Sequence, residues 1–388
     1  MKTNQYKKFL IKNQDRDYAW LSKKTGRTPE TVRKSYSSLG LPPKRITTQN
    51  QKKTAEKMVE EDIFLKLYKD KERTKDEKYQ IALDRAERAE KALDSIMLLK
   101  NNKSSHKIIS SSSNISEATA FMVASDWHLE ERVTKGQVSG VNEYTLDIAK
   151  NRAEKFFING VRLIKIFQKD TKIDTLVLSI LGDLISGNLH EDSQERNQLG
   201  AMQSISFAQE LFVSGIKYIL ENTNCKITIV CHSGNHGRIS KKIHWGNENM
   251  SSLEWLMYCN LSDIFKNEKR CTFIIPEGDT SYLDVYNMKI RMIHGHQVKF
   301  GGGMGGITIP MRKAIAQWDR VQQADLTIFG HFHQRIDGGN FIGNGSLIGY
   351  NAYAQAMKCE FESPAQQFFL ISNKNGGMKT VVSPIWLD

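Results

Sequence analysis

The pentapeptide Phe329-Gly330-His331-Phe332-His333 ends an apolar run over 325–329 whose length and composition predict a short buried strand. Two histidines at i and i+2 just past a strand end can point to opposite sides of one loop. That arrangement can give one imidazole to each of two neighbouring metal ions. Alone, Gly-His-x-His is as often a surface or core feature. Four more polar clusters follow strand-like runs: Ser125-Asp126-Trp127-His128 after 121–124, Leu181-Gly182-Asp183 after 175–180, Ser233-Gly234-Asn235-His236 after 227–230, and His294-Gly295-His296 after 290–293. Each taken singly reads as a turn or a helix cap. Together they deliver oxygen and imidazole donors from five successive strand ends. Two adjacent divalent cations need about seven such ligands and a carboxylate able to bridge them. Asp126, His128, Asp183, Asn235, His294, His331 and His333 supply seven.

From Ala120 onward apolar strands alternate with helical stretches, the texture of an α/β protein. Ligands of open α/β sheets gather at the carboxyl ends of the strands, where these clusters fall. The series Asp-x-His, Gly-Asp, Gly-Asn-His, His-Gly and Gly-His-x-His resembles the calcineurin-like metallophosphoesterase superfamily over residues 120 to about 350. The resemblance implies a four-layer α-β-β-α sandwich. It further implies that Asp126, His128 and His333 hold one metal, that Asn235, His294 and His331 hold the other, and that Asp183 bridges them. His236 would be the histidine that is not a ligand and that protonates the leaving oxygen or stabilises the transition state. Two cations about 3.5–4 Å apart would lower the pKa of a shared water and neutralise the phosphoryl oxygens. The mixed N/O donor set points to manganese, with iron, zinc or magnesium as alternatives.

The chain departs from the family pattern in two places. Many members carry a second acid three residues after Gly-Asp, where this chain has Ser186, and an acid after Gly-Asn-His, where it has Gly237 and Arg238. Both changes bear on the orientation of His236. His190 is a candidate for the site or a solvated loop residue, and His296 is an alternative ligand to His294. His232 reads as structural. Arg238, Lys241, Lys242 and Lys299 are candidates for additional phosphate contacts, and the glycine-rich run 301–306 reads as a rim loop or a plain surface loop.

The charge is concentrated in the first third of the chain. Residues 1–119 hold 27 of the 55 Lys and Arg but only 16 of the 43 Asp and Glu, so nearly the whole net charge of +12 lies there. A basic front joined to a near-neutral body suggests a module that binds a polyanion. Residues 1–45 read as a helix-turn-helix: a short helix with Trp20 and Leu21 facing inward, a stop at Gly26, and a restart at Thr28-Pro29-Glu30. Val32, Tyr36 and Leu39 form the apolar stripe of the second helix. Thr31, Arg33, Lys34 and Ser37 lie off that stripe, where a recognition helix would meet DNA. Residues 46–101 predict a long helix, with Tyr79, Ala82, Ala86, Ala89, Leu93 and Ile96 spaced as a coiled-coil seam through which two or more copies would associate; a helix packed on the catalytic body is the alternative. Residues 102–118 read as a polar linker and 119–388 as the catalytic domain.

With 39% apolar residues the chain has no run approaching a membrane span, its N-terminus has no apolar signal core, and its five cysteines form no Cys-x-x-Cys pair. These features lead to an expectation of a cytoplasmic protein. The sequence reading is therefore a dinuclear-metal phosphodiesterase, a nuclease targeted to DNA by its front module. A phosphomonoesterase or small-nucleotide phosphodiesterase with an assembly module is the alternative, and a DNA-binding regulator with little turnover is a third reading.

Overall fold

The computed structural model describes residues 3–42, 106–109, 116–189, 191–244, 246–300, 306–356 and 358–388. The expected long helix over 46–101 with its coiled-coil seam, His190 and residues 301–305 lie outside the described residues. The chain divides into two units, 1–103 and 104–388.

In the first unit, α1 (Thr3–Lys12), α2 (Tyr18–Thr25) and α3 (Pro29–Ser38) surround a core of Tyr6, Leu10, Leu21, Val32 and Tyr36. Asp17 caps α2 by accepting from Trp20 N at 2.6 Å, and Gly26 ends the helix in the left-handed region at φ 66°. Thr28 caps α3 and Pro29 occupies its first turn, so the short connection between the two helices follows from local chemistry. Helix α1, unforeseen in the sequence, supplies Tyr6 and Leu10 to this core. Trp20, expected to face inward, is only partly buried and stacks on Phe9.

The second unit contains two six-stranded sheets. One runs β1 (Lys107–Ile108), β6 (Thr280–Val285), β7 (Met288–Ile293), β8 (Leu326–Phe329), β10 (Phe341–Gly343) and β9 (Ile336–Asp337) in spatial order. The other runs β12 (Met378–Trp386), β11 (Ala365–Ser372), β2 (Glu117–Ala124), β3 (Lys172–Ile180), β4 (Lys226–Cys231) and β5 (Cys271–Ile274). Both are mixed: β2 to β5 are mutually parallel and β11 is antiparallel to β2, whereas β7, β8 and β10 are parallel and β6 opposes β7. The stretch expected to be a polar linker contributes to this body: Lys107 and Ile108 pair with Asp284 and Val285, and β2 begins at Glu117.

The layers follow from strand alternation. Phe121 and Val123 of β2 face the sheet of β7 and β8, and they pack with Val177, Val230, Ile290, Met292 and Ile328. Their neighbours Ala120, Met122 and Ala124 face the other way, against α4 (Leu146–Phe167), α6 (Ala201–Asn222) and α7 (Leu253–Ile264); α5 (Glu191–Arg196) precedes α6. On the far side of the β7–β8 sheet, Phe329 and Phe341 pack with Met311 and Ile315 of α8 (Thr308–Trp318). Helices, sheet, sheet and helix give a four-layer α-β-β-α sandwich. Strand β2 is buried on both faces, which explains why it reads as a continuous apolar run.

Candidate metal centre

The five polar clusters meet where β2, β3 and β4 of one sheet and β7 and β8 of the other end. The loops after these strands are tied together by main-chain bonds: Asp126 N donates to Gly182 O at 3.0 Å, Trp127 N to Asp183 O at 2.9 Å, and Gly330 N to His294 O at 2.8 Å. Asp126, His128, Asp183, His331 and His333 all have positive φ, between 45° and 69°. Only nine non-glycine residues among those described have positive φ, so the clusters hold most of the backbone strain. Such strain persists where the surroundings over-determine a conformation, and it concentrates at functional sites. Gly234 and Gly330 allow close approach. A Cβ on Gly234 would lie 2.1 Å from Asp183 Oδ1, and one on Gly330 2.6 Å from Asp126 Oδ2.

Two groups of donor atoms result. Asp126, His128 and His333 form one, with His128 Nε2 3.3 Å and Asp126 Oδ1 3.5 Å from His333 Nε2. Asp183, His294 and His331 form the other; His294 Nε2 lies 3.0 Å from Asp183 Oδ2 and 3.2 Å from Asn235 Oδ1. Asp183 also falls in a group with His128 and His236, so it stands between the two. The structure thus brings all seven expected ligands and His236 to one place. His236 is fixed at both ends: its N–H donates to Asp183 Oδ1 at 2.8 Å, and its Nδ1 donates to the Ser186 carbonyl at 3.1 Å.

These residues fit a pair of divalent cations. Atoms bound about 2.1 Å from one ion lie about 3 Å from each other, close to the separations seen here. The tautomers agree with that use. His294 Nδ1 donates to Leu181 O at 2.6 Å, and His128 Nδ1 lies 2.9 Å from Ser186 Oγ, which keeps each Nε2 for the interior. Electrostatics point the same way. Burial holds the imidazoles of His128 and His331 below their ordinary range and that of His333 down to about 4, so these rings are neutral and offer lone pairs. Burial opposes charge on His294, yet the Asp183 carboxylate outweighs it and raises the ring to about 9. Burial would also raise Asp183, but the charges of His294 and His236 hold it well below the carboxylate range. Asp126, with its largest influence from burial, rises to about 7. The Asp183 carboxylate is the group that favours positive charge beside it.

Around the donors is a cavity of about 310 Å³ lined by His128, Asp183, Asn235, His236, His331 and His333 together with Glu131, Arg196, Asn351 and Tyr353. The last four were not foreseen from the sequence. Neither were Glu130, whose carboxylate accepts from Ser186 N and Gly187 N at 2.9 Å, and Glu254, which accepts from Leu184 N at 2.6 Å and Gly234 N at 2.7 Å. Glu254 ties the loop after β3 to the loop after β4. In sequence it looks like an ordinary acid in a first helical turn, and only the fold reveals its second partner. Glu130 and Glu131 did carry a readable sign: two acids directly after Asp-x-His-Leu, in a run otherwise committed to burial.

The other candidates are placed as follows. His296 pairs with Glu248 at 3.0 Å and joins neither donor group, whereas His294 joins one. The Arg238 guanidinium, a candidate phosphate contact, instead bonds the carbonyls of Asn235, Ser240 and Lys241 and braces its own loop. His232 is structural, as expected: it is buried with Nε2 2.8 Å from Ser281 Oγ. Thr31, Arg33, Lys34 and Ser37 are all exposed on α3, where Thr31 contacts Thr28 and Lys34 pairs with Glu30 at 3.6 Å.

Three solved structures are similar to parts of this chain at low identity. A hypothetical protein from Pyrococcus horikoshii OT3 is 12% identical, covering 70% of this chain and 88% of its own, with a TM-score of 0.33. A dimetal phosphatase from Danio rerio is 10% identical, covering 70% and 100%, with a TM-score of 0.33. Chaetomium thermophilum Vps29 is 9% identical, covering 69% and 97%, with a TM-score of 0.29. No family model and no curated protein matches the chain. Among the described residues no helix is long and apolar enough to cross a membrane.

Proposed function

We propose that this chain is a calcineurin-like metallophosphoesterase that hydrolyses phosphodiesters at a dinuclear centre, with DNA as its substrate. The observation that carries the reading is the convergence of two donor groups, with Asp183 of one also within reach of His128 of the other, on a cavity that His236 also lines. When bound, two divalent cations supply neutralisation of the phosphoryl oxygens and a water acidic enough to ionise near neutral pH. Manganese is the first choice for this mixed donor set. The chain's own residues do the rest. Asp126 and Asp183 concentrate negative charge where the cations belong, and the neutral rings of His128, His331 and His333 present lone pairs to them. His236, held through its main-chain N–H and its Nδ1, is oriented to pass a proton through Nε2 to the departing ester oxygen. The water gives up a proton to solvent as its oxygen bonds to phosphorus, the P–O ester bond breaks, and the leaving oxygen takes the proton from His236, which solvent then restores.

The DNA assignment is supported by the positive charge in residues 1–119 and by the exposed polar face of α3. Thr31, Arg33, Lys34 and Ser37 would meet the duplex, and a cytoplasmic protein that self-associates through 46–101 is part of the same reading. Manganese-dependent cleavage of linear duplex, single-stranded and circular DNA, beside a bis-aryl phosphodiester, tests it. Cleavage of DNA that weakens severalfold in Arg33→Ala/Lys34→Ala, with a salt dependence shallower by about one per lost phosphate contact, is expected. Turnover of the aryl ester with no action on any DNA would overturn the DNA assignment and leave a small-substrate esterase.

A further inference from the structure

His128 reaches Ser186 Oγ through Nδ1 at 2.9 Å, and the same hydroxyl lies 3.3 Å from Glu131 Oε2. A hydroxyl has one proton. Ser186 Oγ donates to Glu131 Oε2, so the hydroxyl oxygen accepts from His128 Nδ1–H. The direction of this three-residue chain fixes the tautomer of His128, leaving a lone pair on the Nε2 that faces His333. On the cavity wall the other carboxylate oxygen, Oε1, accepts from Asn351 Nδ2 at 3.4 Å and lies 3.7 Å from the positive guanidinium of Arg196 at Nε. These partners leave Oε2 facing Ser186. Glu131 itself is only 6% exposed.

We propose that Glu131 is the positioning residue of the Asp126–His128–His333 half of the centre, acting through the Ser186 hydroxyl to set the tautomer and aim of His128. The proposal rests on the dinuclear reading of the site. It also accounts for Ser186: where many relatives carry an acid, this serine relays the influence of an acid that comes from the loop after β2. Ser186 meets His236 as well, through its carbonyl, so one residue orients two of the site's histidines by different groups.

Glu131→Gln is the informative change because it keeps shape and removes the certainty of direction. Asn351 donates and the Arg196 guanidinium is positive, so both draw the amide oxygen to their side and leave the amide NH₂ facing Ser186. The hydroxyl then donates toward His128 Nδ1, and the proton of the ring moves to Nε2, where it blocks a ligand position. Manganese titration of the full chain by calorimetry, for the wild type, Glu131→Gln, Ser186→Ala and the double variant, should show two ions in the wild type. Each single variant should lose about 10–100-fold in affinity at one ion only, and the double should be no worse than the weaker single. Nitrogen-15 NMR of the metal-free chain should show His128 protonated on Nδ1 in the wild type and on Nε2 in Glu131→Gln. Wild-type affinity at both ions in Glu131→Gln, or an unchanged His128 tautomer, would overturn the proposal. Failure of the wild type to bind two ions would instead overturn the dinuclear reading, and the proposal with it; the tautomer measurement needs no metal and tells the two failures apart.

Discussion

The two halves of the metal centre are built from the same residue types but anchored differently. In one, His294 Nδ1 donates to the main-chain carbonyl of Leu181 at 2.6 Å; in the other, His128 Nδ1 meets the side chain of Ser186 at 2.9 Å. A carbonyl only accepts, so the fold itself keeps the His294 proton on Nδ1 whether or not Nε2 carries one. A hydroxyl can donate or accept, so the His128 tautomer depends on Glu131 behind it. Charge differs too. Asp183 is ionised against a His294 raised to about 9, whereas Asp126 is raised to about 7 among neutral rings. One half is therefore robust and strongly polar, and the other is adjustable and close to neutral.

The largest effect should come from removing what the halves share. Asp183→Ala is expected to lower phosphodiester hydrolysis by about 10³-fold or more and to weaken both ions, measured by steady-state rates and metal titration. The glycines should separate the halves at a smaller cost. Gly234→Ala forces a methyl against Asp183 and should impair both ions, whereas Gly330→Ala pushes on Asp126 and should impair one. Equal damage to both ions from Gly330→Ala would break the comparison. Next come the Ser186 and Glu131 variants, which act on the adjustable half and have no counterpart at His294.

The smallest effect is a pH dependence. His294 has a folded pKa above its ordinary 6.5, so its contribution to metal-free stability is complete below 6.5 and is lost as pH rises through about 9. Asp126, raised above 3.8, likewise favours the folded state most at low pH and loses that advantage through about 7. Asp183 runs opposite: its depressed pKa gives stability present above 3.8 and lost only in strong acid. The thermal midpoint of the metal-free chain should fall between about pH 6 and about pH 9.5. Because a cation displaces these protons, metal affinity should rise over the same range, levelling above about 7 at the Asp126 half and above about 9 at the His294 half. Parallel titration curves for the two ions would contradict the difference in charge.

Much of this arrangement was legible in the sequence because strand ends and polar clusters are local patterns. The runs before Asp126, Asp183, Asn235, His294 and His331 are all strands, and the four layers follow from which residues alternate along them. What escaped was whatever depends on distant partners. Glu254 lies far along the chain from Asp183 and looks like a helix-start acid, yet it clamps two site loops. Arg196, Asn351 and Tyr353 reach the cavity from stretches with no motif. Ser186 looked like a lost acid, because sequence compares positions and cannot show that Glu131 stands behind it. Lys107 and Ile108 form too short a strand to stand out between serine runs, and they become one only by pairing with β6.

The most direct test of the central claim is the metal stoichiometry of the full chain, by equilibrium dialysis against manganese followed by elemental analysis, for the wild type and Asp183→Ala. Two ions per wild-type chain, with both weakened by the single substitution, are predicted. One ion or none in the wild type, or two retained with unchanged affinity in Asp183→Ala, would contradict a dinuclear centre bridged by that carboxylate.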